Sequence, residues 1–137
     1  MPRMTVSDLN LFLDGAFGAD RICVVEDVDD ERLVARVRAD RLVLRPGGTV
    51  SGPTLMALAD AAAYSQVLAH LGPVALAVTS SLNITFLRKP EPVDQIAEAT
   101  FLKLGRKLAV VDVRMRSEGR RELVAQAVVT YAIPSAR

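Results

Sequence analysis

The chain has 137 residues, half of them apolar and 24% charged, and 17 Lys and Arg against 16 Asp and Glu leave a formal charge of +1. That length suits one domain with a packed core, and an even charge balance with no Trp lacks the basic footprint of a nucleic-acid binder. A lone cysteine, Cys23, excludes an internal disulfide framework, a lone histidine leaves no zinc cluster, and no apolar run reaches the roughly 18 residues of a membrane span. The opening residues lack the basic-then-apolar layout of a secretory leader. The expectation is a cytoplasmic single domain over residues 1–137.

In chain order, Leu9, Phe12, Leu13 and Phe17 recur at helical spacing, capped by Ser7 or Asp8 and ended by Gly15 and Gly18. Short strands follow at 21–26 and 32–37, around an acidic turn of Asp27, Asp29, Asp30 and Glu31. In the second strand Leu33, Ala35 and Val37 alternate with Arg36 and Arg38, giving one buried and one wet face. The turn-rich stretch 45–53 leads into a helix with Ser51 or Gly52 as cap and Pro53 in its first turn. This helix runs to about His70, where Gly72 and Pro73 stop it. It is apolar almost all round, so it is buried on most sides. Strands at 79–87, 96–104, 108–116 and 122–133 complete the chain, with a short turn at Gly105, Arg106 and Lys107. The order gives an α+β fold, an antiparallel sheet wrapped around one long central helix.

Asp60 is the most informative residue. It interrupts the most apolar helix, and charged side chains are seldom buried there unless paired or functional. The competing reading places it on a solvated stripe, but no other strong charge lies between Pro53 and Leu71 to continue one. His70, near the end of the same helix, reads as a dipole and capping contact. Ser65, His70 and Asp60 lie on one helix and do not converge as a triad. Gly47 and Gly48 lack the phosphate-loop patterns. Arg88 with Lys89, and Arg106 with Lys107, are ordinary solvated turn residues unless the ligand carries phosphates.

Ser51-Gly52-Pro53, then Leu55, Leu58-Ala59-Asp60, then Thr79 and the run Leu82-Asn83-Ile84-Thr85-Phe86-Leu87-Arg88 resemble the PaaI-like branch of the hotdog-fold acyl-CoA thioesterases. The resemblance covers about Leu44 to Pro134 and includes Leu104-Gly105-Arg106-Lys107-Leu108-Ala109. It implies a hotdog fold and hydrolysis of an acyl-CoA thioester, without a metal or other cofactor. Asp60 is then the nucleophile or the general base, and the Gly52 N–H is the oxyanion donor. Thr79 is the hydroxyl that positions water from the facing subunit. Ser51 stands where the family has histidine, and Arg45 where it often has asparagine. Arg88, Lys89, Arg106 and Lys107, with Asn83 and Gly105, are the substrate-binding candidates, and Met56, Tyr64 and Phe86 are candidate liners of an acyl pocket. A site between protomers implies a homodimer or a dimer of dimers. The loss of histidine at Ser51 motivates a second reading, a hotdog protein that binds acyl-CoA or another small ligand without turning it over.

Overall fold

In the computed structural model of the chain, which describes residues 2–73 and 77–134, helix α1 spans Val6–Phe17. Its cap is Thr5 rather than Ser7 or Asp8. The Thr5 hydroxyl accepts the Asp8 N–H (3.1 Å) while the Asp8 carboxylate accepts the Thr5 N–H (3.0 Å), a reciprocal box that satisfies two free donors. Gly15 is carried within the helix, and Gly18, at φ 55°, ends it.

Strands β1 (Val24–Val28) and β2 (Arg32–Val37) form an antiparallel hairpin. β1 begins later than the apolar pattern suggests because α1 holds the preceding residues. The Arg21 guanidinium donates to the carbonyls of Cys23 (2.8 Å) and Asn10 (3.2 Å). The Asn10 amide then bonds both the N–H and the C=O of Val25, each at 2.9 Å, standing in for a neighbouring strand. On the wet face Arg36 pairs with Glu26 (2.6 Å), Asp94 (3.0 Å) and Glu118 (2.7 Å), tying the hairpin to the neighbouring residues 94 and 118 of the later part of the chain.

Helix α2 spans Gly52–Leu71, with Ser51 as its cap. Strands β3 (Val78–Phe86), β4 (Gln95–Leu104), β5 (Leu108–Ser117) and β6 (Leu123–Ala132) follow. All six strands form one antiparallel sheet in the order β1-β2-β4-β5-β6-β3. The sheet wraps α2, and both surfaces are built of small residues at the contact. Ala35, Ala97, Ala99, Ala109, Ala125 and Ala127 on the strands, and Ala59, Ala62 and Ala63 on the helix, are fully buried. Missing side-chain bulk lets the helix lie close to the strands, with Leu55, Leu58, Val67 and Leu68 filling the remaining space.

One irregularity sets the direction of Thr79. Thr79 pairs with Tyr131 and Ser81 with Thr130, so Ser80 is an extra residue in β3. Strict alternation back from the inward Leu82 and Ile84 would turn Ser80 toward the helix and Thr79 away from it. The bulge reverses that parity and aims Thr79 inward.

Candidate active site

Asp60 sits midway along α2, on the side that faces β3 and β6. Its Oδ1 accepts the Thr79 hydroxyl at 2.7 Å and the Tyr131 hydroxyl at 2.6 Å. Tyr131 also lies 3.1 Å from the Asp60 main-chain carbonyl. Burial, reinforced by the Asp60 carboxylate, pushes the Tyr131 phenol far above its usual range, so it remains a neutral donor. These groups form the polar corner of a cavity of about 490 Å³. Leu13, Phe17, Ile22 and Tyr64 supply an apolar wall, with the Phe17 and Tyr64 rings edge to face at 6.0 Å. Cys23 also lines it, but burial lifts its thiol to about 12, so it is an inert wall rather than a nucleophile. Among the described residues no cluster of His, Cys, Asp and Glu could hold a metal ion.

The remaining sequence candidates are distributed over the two ends of the fold. Gly52 is the first residue of α2, and eight residues along a helix place it about 12 Å from Asp60. Within one chain the two cannot act on the same carbonyl group. Thr79, expected to approach from a facing subunit, bonds the Asp60 of its own chain, because the bulge in β3 turns it there. Ser51 is buried, and its hydroxyl accepts the Thr54 N–H (3.3 Å) and shares a hydrogen bond with the Thr54 hydroxyl (2.8 Å). That side chain caps the helix.

The Phe86 ring lies over Gly52, about 3.4 Å from where a Cβ would stand, and Met56 is exposed, so neither lines the cavity that Tyr64 does. Arg88 and Lys89 follow β3 at this Gly52 end, and the Arg88 guanidinium donates to the Leu123 carbonyl (3.0 Å). Arg106 and Lys107 lie at the Thr79 end, since Leu108 and Val78 both pair with Ala132. The nine residues of β3 separate the two basic pairs by about 26 Å. Gly105 closes the β4–β5 turn through its N–H to Leu108 (2.9 Å). Asn83 pairs with Val128 on the sheet face turned away from α2, so it does not join the cavity.

His70 does not cap its helix; the Gly72 N–H closes the last turn onto Leu68 at 2.8 Å. The His70 ring packs edge-on against Phe101, 5.2 Å between centroids. Burial holds it below its ordinary range. The residue that sequence reasoning missed is Tyr131. A buried tyrosine needs a partner for its hydroxyl, and only the β3–β6 register shows that this partner is Asp60.

A family model described as the thioesterase superfamily matches residues 47–124. A solved structure of a candidate thioesterase from Silicibacter sp. TM1040 is 40% identical, covers 98% of this chain and 94% of its own, and superposes with a TM-score of 0.90. A second, from Ralstonia eutropha JMP134, is described as a phenylacetic acid degradation-related candidate thioesterase. It is 28% identical over 88% of each chain, with a TM-score of 0.72. Zebrafish thioesterase superfamily member 2, at 21% identity over 96% of this chain and 99% of its own, shares the fold with a TM-score of 0.79. No curated protein matches the sequence. The wrapped sheet and central helix are the hotdog fold.

Proposed function

From the premise that this chain belongs to the thioesterase superfamily, we propose that it hydrolyses an acyl-CoA thioester with Asp60 as the reacting carboxylate, in the manner of the PaaI-like branch. The observation that carries the reading is a carboxylate held by two hydroxyls at one corner of a mostly apolar cavity, which Asp20 and Arg21 also line. Asp60 takes a proton from water as that water attacks the thioester carbonyl carbon, or it attacks that carbon itself. In the base path the carbonyl oxygen becomes negative and accepts the Gly52 N–H at the positive end of α2, where a first-turn N–H has no intrahelical acceptor. The carbon–sulfur bond breaks, and the leaving thiolate recovers the proton that Asp60 had removed.

The 12 Å between Gly52 and Asp60 requires the oxyanion donor to come from a second copy. β3 is an edge strand with exposed Val78 and Phe86. Two such edges, paired antiparallel about a two-fold axis, bring the Gly52 and Arg88 end of one protomer beside the Thr79 and Arg106 end of the other. The same operation unites the two basic pairs, which one chain holds apart, around a CoA phosphate region. The minimum assembly is therefore a homodimer, and two dimers can pair further. The buried lone thiol of Cys23 suits the reducing cytoplasm.

Non-catalytic binding of acyl-CoA is the second reading, favoured by Ser51, whose hydroxyl is engaged in the helix cap where the family has histidine. Thiol release from a panel of short, medium, long and aromatic acyl-CoA esters separates the two. Turnover on any ester supports hydrolysis. Saturable binding with no turnover across the panel overturns it.

A further inference from the structure

The two oxygens of the Asp60 carboxylate are in different surroundings. Oδ1 accepts both hydroxyls, and neither of them donates to Oδ2. The two donors are direct register partners across β3 and β6, so the sheet fixes their spacing. The Tyr131 ring is itself clamped. It is 3% exposed and stacks obliquely on Tyr64, 5.8 Å between centroids.

We propose that Tyr131 is a positioning residue for the reacting carboxylate: with Thr79 it occupies Oδ1, fixes the carboxylate plane and leaves Oδ2 as the single oxygen presented to the cavity. The inference rests on the hydrolytic reading of this site. A single hydroxyl would leave the carboxylate free to turn about that one bond. Two rigidly spaced donors on the same oxygen remove this freedom before substrate arrives, and reacting groups misplaced by about 1 Å lose up to about 10²-fold in rate. Tyr131 is buried and remains protonated, so its donor role persists at any working pH. A purely structural hydroxyl would be satisfied by the Asp60 carbonyl, yet the shorter contact is to the carboxylate.

The test is Tyr131→Phe, which keeps the ring and its packing, measured beside Asp60→Asn with rates normalised to folded protein. For Tyr131→Phe, kcat should fall by roughly tenfold or more while KM stays within about twofold, because binding contacts are untouched and only the reacting geometry is lost. If Asp60→Asn retains turnover, the hydrolytic reading itself fails. If Asp60→Asn loses turnover while Tyr131→Phe keeps kcat within about twofold, or changes KM alone, the positioning role is overturned and the hydrolytic reading stands. Should Phe not be tolerated, 3,5-difluorotyrosine at Tyr131 alone retains shape and hydroxyl but changes the strength of the donor. A several-fold change in kcat then supports the proposal, and an unchanged kcat overturns it.

Discussion

Asp60 puts a negative charge in the middle of a helix that is half alanine and leucine, and two hydroxyl donors make that position tenable. Replacing it with Asn keeps the size and removes the charge. Thioester turnover should then fall by roughly a hundredfold or more, while the melting temperature stays the same or rises, since a neutral amide is easier to bury. Activity that survives within a factor of a few would remove Asp60 from the chemistry. His70 gives a second result at this scale. Its folded pKa lies below the ordinary 6.5 because burial disfavours the cation, with the Asp29 and Asp30 carboxylates partly offsetting this. The unfolded chain therefore binds more protons just below that value, so stability rises with pH there and is lost on acidification. Thermal melts from about pH 7 down to about pH 5 should show a falling midpoint, and His70→Gln should flatten the slope. An equal slope in both proteins would assign the pH dependence to other groups.

The elements differ in how far the sequence discloses them. α2 and β2 stand where periodicity places them, because a helix apolar on all sides and a strand of alternating Arg and aliphatic residues each admit one solution. β1 starts late because Arg21 is tied to the Asn10 carbonyl and the Asp14 carboxylate of α1, a tertiary effect with no local signal. The bulge at Ser80 is equally silent, and without it the register would turn Ser80 rather than Thr79 toward the helix. Asp60 stood out as a charge without neighbours of its kind. Tyr131 did not, since an inward tyrosine on a strand looks like core until its cross-strand partner is known. The β4–β5 turn carries a prediction of its own. If Arg106 and Lys107 hold CoA phosphates, changing both to Ala should raise KM for CoA esters far more than for a pantetheine thioester. The difference should shrink at high salt. Equal effects on both substrates would leave them as solvated turn residues.

For the whole molecule, the proposed division of Gly52 and Asp60 between two protomers can be tested by complementation. Gly52→Pro removes the N–H at a helix position that accepts proline, and Ser51 before it is already extended at ψ 150°. Gly52→Pro and Asp60→Asn should each be nearly inactive. Co-expressed and randomly paired, they should recover about a quarter of wild-type activity, because half the dimers then carry one intact site. No recovery in such a mixture, with dimers confirmed by light scattering, would place the oxyanion donor within one chain.

A site divided between protomers also links catalysis to mass action. A substrate that contacts both protomers of the proposed dimer would bind the associated form more tightly, so binding would draw free protomers into dimers and the affinity of the subunits would rise with ligand concentration. Specific activity becomes a function of enzyme concentration, falling on dilution and returning as substrate is added. On the proposed dimer, the two helical turns between Gly52 and Asp60 would thereby make abundance a control on rate.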